Sequence, residues 1–287
     1  MKKSLLIITS IVLLACQQQS NSELITLYSL PKKLKEVSGI TYFPETNLIY
    51  TLEDSGNKNE IYALNSEGKL EKTIAITNAQ NIDWEDITKD TEGNIYIGDF
   101  GNNDNERQDL CIYKISKSEL NKENAVSEYK VSFSYPEQTE FPPKKKELFY
   151  DVEGFFEYQN YFYLFTKNRS KGFDGIAFIY KIHNAPGTQK AIKIGEFKTC
   201  DNYNHCVLTS ATISPDGKKV VLLSHDKIVL FKDFKGDSFN KGTQTEITLN
   251  HFSQKEAIFF KDNNTLLIAD EKTNKVGGNV YEFKLKN

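Results

Sequence analysis

The amino-acid sequence predicts an all-β fold, a five-bladed β-propeller with four strands in each blade. From residue 24 onward, short segments alternate apolar and polar side chains and are separated by Gly, Pro, Asn and Asp turns, a pattern typical of strands. The 15 Tyr and 19 Phe residues beside a single Met also favour strands. The same group of strands recurs five times along the chain, as expected when each repeat forms one blade.

The five repeats account for the whole chain after residue 24. They cover residues 36–77, 83–135, 151–198, 207–250 and 255–285. The last repeat contains three strands, and one strand at residues 24–28 belongs to no repeat. We therefore expect the first strand to complete the last blade and close the ring. A six-bladed propeller is the alternative, but the sequence offers no sixth inner strand.

The first residues predict export and a lipid anchor. Lys2 and Lys3 precede an apolar stretch, residues 5–14, which is too short to span a bilayer. It ends in Leu-Leu-Ala-Cys, which resembles the lipobox of bacterial lipoproteins and implies lipidation of Cys16. We expect a signal peptide at residues 1–15, a lipidated cysteine and polar tether at 16–23, and a single propeller domain at 24–287. An ordinary signal peptide that contains Cys16 is the alternative.

This reading predicts a monomeric lipoprotein of the cell membrane that faces the periplasm. We expect the N-terminal lipid to attach the protein to the membrane. Its further partner is expected to be a small ligand or an envelope protein. The net charge of −3 and the isoelectric point near 5.9 argue against nucleic acid, whose binding requires a basic face.

The cysteines fit an exported protein. Cys200 and Cys206 lie in one polar segment, Cys-Asp-Asn-Tyr-Asn-His-Cys, and predict a small disulfide loop. A metal site formed by these two thiolates and His205 is the alternative. Cys111 lies within an apolar strand and is expected to be buried.

Alignment of the repeats predicts a ring of polar residues at one mouth of the propeller. The residues that begin the inner strands are Ser38, Glu85, Glu153, Thr209 and Glu256. Those at or near the ends of the second strands are Glu53, Asp99, Lys167, His225 and Asp270. Inner strands line the central channel of a propeller, so these side chains are expected to converge.

Crowded carboxylates repel one another unless a cation or a proton lies between them. Ca²⁺ takes roughly six to eight oxygen ligands, which carboxylates from several blades can supply. We therefore predict a Ca²⁺ site with ligands drawn from Glu85, Glu153, Glu256, Asp99 and Asp270. The alternative is that these polar residues only form hydrogen bonds between blades or face water in the channel.

A few residues near this ring are candidates for chemistry or binding. His225 and Asp99 are the candidate general bases. Arg107 and Arg169, the two arginines of the chain, and Lys167 are candidates for binding an anionic group. The sequence contains no Gly-x-Ser-x-Gly elbow and no HExxH motif.

Short motifs carry a family resemblance. The turn Ser-Pro-Asp-Gly-Lys at residues 214–218 resembles the turn of many propeller repeats. The repeat openings EVSGI, WEDI, VEGF and KEAI, followed by strands that end in acidic residues, resemble the NHL-like propellers. Within that group they are most similar to the SdiA-regulated family of membrane-associated bacterial proteins. The resemblance covers about residues 30–285; it implies a propeller fold and allows for a calcium ion.

Two functions follow from these observations. The sequence favours a lipid-anchored module that binds a ligand or partner protein at the envelope. The alternative is a calcium-dependent hydrolase that resembles the lactonase, esterase-like or phytase-like propellers, in which the metal polarises a carbonyl or phosphoryl oxygen.

Overall fold

The chain forms a five-bladed β-propeller, as its sequence predicts. A computed structural model describes residues 23–286; the expected signal peptide, Cys16 and residues 16–22 of the tether lie outside this range. The described residues contain 22 strands, arranged as five sheets around a central axis. Within the same residues, no helix is long and apolar enough to cross a bilayer.

In blades 1 to 4, four antiparallel strands follow the sequence order from the axis outward. Blade 1 contains β2 (Val37–Phe43), β3 (Leu48–Glu53), β4 (Glu60–Leu64) and β5 (Leu70–Ile76). Blade 2 contains β6 (Trp84–Lys89), β7 (Ile95–Asp99), β8 (Cys111–Ile115) and β10 (Tyr129–Ser134). Blade 3 contains β11 (Asp151–Tyr158), β12 (Tyr161–Lys167), β13 (Ile176–His183) and β15 (Ile192–Lys198). Blade 4 contains β16 (Ser210–Ile213), β17 (Val220–Leu223), β18 (Lys227–Lys232) and β19 (Thr243–Thr248).

Blade 5 is completed by β1, the first of the described strands, as predicted. It contains β20 (Lys255–Phe260), β21 (Thr265–Asp270), β22 (Asn279–Lys284) and, on its outer side, β1 (Leu24–Ser29). Strand β1 pairs antiparallel with β22, from Leu24 opposite Phe283 to Ser29 opposite Asn279. This pairing closes the ring.

Two short strands that the repeats do not predict join neighbouring blades. Strand β9 (Asn124–Ala125) leaves blade 2 and pairs in parallel with β5 on the outer edge of blade 1. Strand β14 (Gly187–Lys190) leaves blade 3 and pairs in parallel with β10 of blade 2. The outer edges of blades 1 and 2 are therefore covered by the blade that follows. Three short helices, Lys117–Asn121, Tyr203–Cys206 (α1) and Phe239–Lys241, lie in the connections.

The hydrophobic core consists of five clusters, each between two neighbouring blades. The alternation along each strand explains this arrangement, because side chains on the two faces of a blade pack against different neighbours. Trp84, the only tryptophan, is fully buried between blades 1 and 2, and its indole N–H donates to the Gln80 carbonyl at 2.9 Å.

The central channel is closed halfway along the inner strands. A Cβ at Gly39 would lie 2.8 Å from Asp86 Oδ1, so glycine is required where β2 meets β6. The Asp86 Oδ2 atom accepts hydrogen bonds from Phe155 N at 3.2 Å and Ser210 Oγ at 3.0 Å. Ser210 Oγ in turn accepts from Ile258 N at 3.3 Å. These buried contacts connect all five blades and separate two mouths: the N-terminal mouth, where the inner strands begin, and the C-terminal mouth, where they end.

Candidate functional site

The inner strands are irregular where they reach the N-terminal mouth. In four blades the register shifts at a single residue, and Thr209, directly before β16, occupies the equivalent place in blade 4. The four residues at the shifts are Ser38, Glu85, Glu153 and Glu256. Such bulges re-aim a side chain. The five residues that the repeat alignment groups together therefore share one level of the propeller.

Two of these five residues connect blades. Ser38 Oγ donates to the Trp84 carbonyl at 3.0 Å, and Thr209 Oγ1 donates to the Lys255 carbonyl at 2.6 Å. In each case the acceptor belongs to a neighbouring inner strand. The three glutamates at this level are left to form the N-terminal mouth.

An acidic cluster lies at this mouth. Glu85, Asp151 and Glu153 offer carboxylate oxygens that all lie within 4.8 Å of one another, a spacing that could hold a metal ion. The sequence alignment did not single out Asp151, which begins β11 directly opposite Lys167.

Two cations already contact this cluster. Arg169 Nε lies 2.5 Å from Asp151 Oδ2, and Arg169 Nη2 lies 2.7 Å from Glu153 Oε1. Lys167 Nζ lies 3.0 Å from Glu153 Oε2. Burial lowers the pKa of both basic groups, but the neighbouring carboxylates outweigh it, and both pKa values lie above their ordinary range. Lys167 and Arg169 therefore stay charged.

This arrangement does not fit a resident calcium ion. Asp151 Oδ1 accepts from Asn102 N at 2.7 Å, so all four oxygens of Asp151 and Glu153 contact protein donors. A divalent cation would have to displace Arg169 and Lys167 from these oxygens, at the cost of leaving two buried positive groups without partners.

Glu85 differs from the other two acids because its carboxyl group makes no hydrogen bond to the residues that the structure describes. Its carboxyl lies against the backbone of Gly101, where a Cβ would come 2.2 Å from Glu85 Oε1. Burial raises the pKa of Glu85 well above its usual value, and repulsion from Glu153 and Asp83 adds to this rise. Glu85 therefore holds its proton to a higher pH than an ordinary glutamate does.

His225 and Glu256 form an acid–base pair at the same mouth. His225 Nδ1 lies 3.0 Å from the Asn204 carbonyl oxygen, which can only accept, so Nδ1 carries a proton. His225 Nε2 then faces Glu256 Oε1 at 3.5 Å. With Nδ1 protonated, the neutral imidazole has Nε2 free to accept a proton beside this carboxylate.

A disulfide loop supports this part of the site. Cys200 and Cys206 are bonded to each other, and the segment between them includes most of α1. Tyr203 of this segment accepts a hydrogen bond from Arg169 Nη1 at 3.1 Å, while Asn204 orients His225 as described. The loop therefore positions one residue of blade 3 and one of blade 4.

The remaining predicted residues lie outside the 4.8 Å cluster. Asp99 Oδ1 binds Arg107 Nη2 at 3.0 Å, an ion pair beside the mouth. Asp270 accepts from the Tyr281 hydroxyl and from Asn279 N, both at 2.8 Å and both within blade 5. The structure thus brings together Glu85 and Glu153 of the predicted metal ligands, places Glu256 beside His225, and leaves Asp99 and Asp270 with partners of their own.

The mouth is electrically polarised. Blades 3 and 4 contribute the basic side chains Lys167, Arg169 and His225, whereas blades 1, 2 and 5 and the segments next to them contribute mainly acids. These acids are Glu36, Asp54, Asp83, Glu256 and Glu271. Burial, followed by repulsion from these neighbours, raises the pKa of Asp54 to about 7 and that of Glu271 to about 8. Each of these two acids directly follows a second strand, a signal in the sequence that the alignment overlooked.

The fold and this mouth define a β-propeller with a cluster of acidic and basic side chains at the start of its inner strands. No protein-family model and no curated protein match the chain, so the resemblance to the SdiA-regulated family stays a prediction. Among solved structures, the chain is similar to the PQQ-bound aldose sugar dehydrogenase of Streptomyces coelicolor, with a TM-score of 0.56 and 8% identity over 92% of this chain and 98% of that chain. It is also similar to a gluconolactonase of Xanthomonas campestris, with a TM-score of 0.52 and 8% identity over 93% and 91% of the two chains.

Proposed function

We propose that the N-terminal mouth is the active site of a hydrolase that acts on a small ester or lactone. One observation carries this proposal: the His225–Glu256 pair, with its tautomer set by Asn204, shares the mouth with the Lys167 ammonium group and the unpartnered Glu85 carboxyl. A base, a cation and an acid each lower the barrier to ester hydrolysis by water.

Each group has a defined role in the proposed reaction. A water molecule attacks the carbonyl carbon and gives its proton to the His225–Glu256 pair, while the new carbon–oxygen bond places negative charge on the carbonyl oxygen. Lys167, whose one ion pair within residues 23–286 is with Glu153, donates to that oxygen. The ring or ester carbon–oxygen bond then breaks, and the departing alkoxide takes a proton from Glu85. The products are an alcohol and a carboxylic acid, which are one hydroxy acid when the substrate is a lactone.

Two features support hydrolysis over the binding module that the sequence favours. The first is the polarised mouth itself, because a site that only binds needs no proton donor beside a proton acceptor. The second is the similarity to a gluconolactonase, which directs the choice of test substrates towards sugar lactones.

We also propose that a lipid on Cys16 anchors the protein to the membrane and that the propeller faces the periplasm. Replacing Cys16 with Ser is expected to release the protein from membranes. Continued membrane association would contradict the anchor.

Calcium would compete with Arg169 and Lys167 for the carboxylate oxygens of Asp151 and Glu153. The 4.8 Å cluster of Glu85, Asp151 and Glu153 supports cation binding, and a metal bound there would polarise a carbonyl oxygen. Because both basic side chains already hold these oxygens, the proposed reaction uses Lys167 and no metal.

The test measures hydrolysis of glucono-δ-lactone and of aryl esters by the full chain in detergent micelles. Glu256→Gln is expected to lower kcat by about 100-fold, since general base catalysis contributes roughly that factor. Glu246→Gln is the matched control, because Glu246 lies on β19, the outer strand of blade 4, where it pairs with Lys227 of β18. A wild-type protein that does not exceed the spontaneous rate, or an unchanged kcat in Glu256→Gln, would overturn the proposal.

A further inference from the structure

The C-terminal mouth contains a cavity that is separate from the site described above. Its volume is about 560 Å³, within the range of small-molecule sites. The ends of inner strands β6, β11, β16 and β20 line it. The Asp86 and Ser210 contacts at the middle of the channel separate this cavity from the N-terminal mouth.

Lys89 is the informative residue of this cavity. Its ammonium group is half-buried, 5.3 Å from the centre of the Phe43 ring and 6.0 Å from that of Phe259. Among the residues that the structure describes, it forms neither an ion pair nor a hydrogen bond. Burial lowers the pKa of Lys89, an effect that its distant acidic neighbours Glu45 and Asp90 do not cancel. The charge therefore lacks a close anionic partner.

The nearby acids do not supply that partner. Asp90 Oδ1 accepts from the backbone nitrogens of Glu92 and Asn94, both at 2.9 Å, and its Oδ2 accepts from the Tyr96 hydroxyl at 3.0 Å. Its two oxygens are thus committed to a turn and to a tyrosine.

A second acid of the cavity is suited to hydroxyl groups. Glu157 Oε1 accepts from Asn160 N at 2.8 Å, and burial raises the pKa of Glu157 to about 7. This carboxyl group carries a full charge less readily than an exposed one, but it donates and accepts hydrogen bonds. The cavity walls also include the rings of Tyr42, Tyr158 and Phe259, which pack well against the carbon skeleton of a small ligand.

We propose that the C-terminal mouth is a second ligand site, which binds a small hydroxylated organic anion with its anionic group at Lys89. Glu157 contacts a hydroxyl group of this ligand, and the aromatic rings cover its carbon atoms. The proposal does not depend on hydrolysis at the other mouth.

The test titrates gluconate, inorganic phosphate and glucose into the full chain in detergent micelles by calorimetry. Gluconate carries both a carboxylate and hydroxyl groups, phosphate has only the charge, and glucose only the hydroxyl groups. We expect saturable gluconate binding with a Kd of about 1 mM or lower and weaker binding of the other two. Absence of saturation by gluconate, or equal affinity for glucose, overturns the proposal.

Variants locate the binding. Lys89→Met is expected to weaken gluconate binding by about tenfold or more, because a charge-assisted hydrogen bond is lost, whereas Lys89→Arg retains it. Lys261→Met is the matched control: Lys261 lines the same cavity, but its ammonium lies 2.8 Å from Glu282 Oε2.

Two further variants keep the test decisive. If Lys89→Met does not fold, Tyr158→Ala still tests the cavity, because Tyr158 lines it. This variant is expected to weaken gluconate binding. Loss of gluconate binding in Lys167→Met, with Lys89→Met unaffected, would assign the ligand to the N-terminal mouth and refute the proposal.

Discussion

Replacing Asp86 with Ala tests whether one carboxyl group holds blades 2, 3 and 4 together at the axis. Asp86 is 1% exposed, and its oxygens accept from Ile87 N at 2.8 Å, Phe155 N at 3.2 Å and Ser210 Oγ at 3.0 Å. In Asp86→Ala, the two backbone N–H groups and the hydroxyl group lose these acceptors within closely packed strands.

The size of the effect follows from these contacts. Each buried donor without a partner costs about 1–3 kcal/mol. The Ser210 hydroxyl group can rotate to another acceptor, and removing a buried carboxylate returns part of the loss. We therefore expect Asp86→Ala to lower the free energy of unfolding by about 3 kcal/mol. For a domain of this size, that corresponds to a Tm about 6–12 °C lower.

Fluorescence of Trp84 is a suitable assay, because this single tryptophan is fully buried between blades 1 and 2. Asp216→Ala is the matched control. Asp216 accepts from Ser214 Oγ at 2.6 Å and Lys218 N at 3.1 Å in an exposed turn, and we expect a loss of about 1 kcal/mol or less. If Asp86→Ala melts within about 2 °C of the wild type, the idea that Asp86 connects the blades is wrong.

Three other predictions concern the N-terminal mouth. Arg169→Gln frees carboxylate oxygens, so saturating Ca²⁺ should raise its Tm by about 5 °C and leave the wild type nearly unchanged; a larger rise in the wild type would contradict the competition. The pKa of Glu271 is about 8 in the folded chain, so between about pH 4.5 and 8 the folded state binds one more proton than the unfolded state, and stability falls as pH rises through this window. Glu271→Gln should remove about 2 kcal/mol of that loss, after allowance for solvent screening. Parallel curves of stability against pH for the two proteins would refute this prediction. Replacing both Cys200 and Cys206 with Ser opens a loop with a sequence separation of 6, which should lower the free energy of unfolding by about 2 kcal/mol, and an unchanged Tm would show that the loop is held by other contacts.

Much of the fold is readable from the sequence because it depends on local patterns. Alternation identifies the strands, and five similar repeats with one strand to spare identify the blades and the closure by β1. Strands β9 and β14 were not predicted because they contain only two and four residues. Segments this short show no alternation of apolar and polar side chains, and their pairing with a neighbouring blade leaves no pattern in the sequence.

The sequence predicts which end of the inner strands carries the candidate site, but it does not predict which side chains contact one another there. Repeat spacing placed Glu85, Glu153 and Glu256 at the same end of the inner strands, because each follows the same register. It could not give the direction of a side chain, since a shift of one residue turns it to the other face. Asp151 therefore escaped notice although it lies within the acidic cluster, and Asp270 was grouped with residues that it does not contact.

The pairing of β1 with β22 has a consequence for how the ring is assembled. Leu24 and Phe283 lie opposite each other, although almost the whole domain separates them along the chain. Among the strand pairings of residues 23–286, this one carries the largest loop-closure entropy, and it is expected to be slow. Strand β1 is synthesised long before β22, so the ring cannot close until β22 has been made.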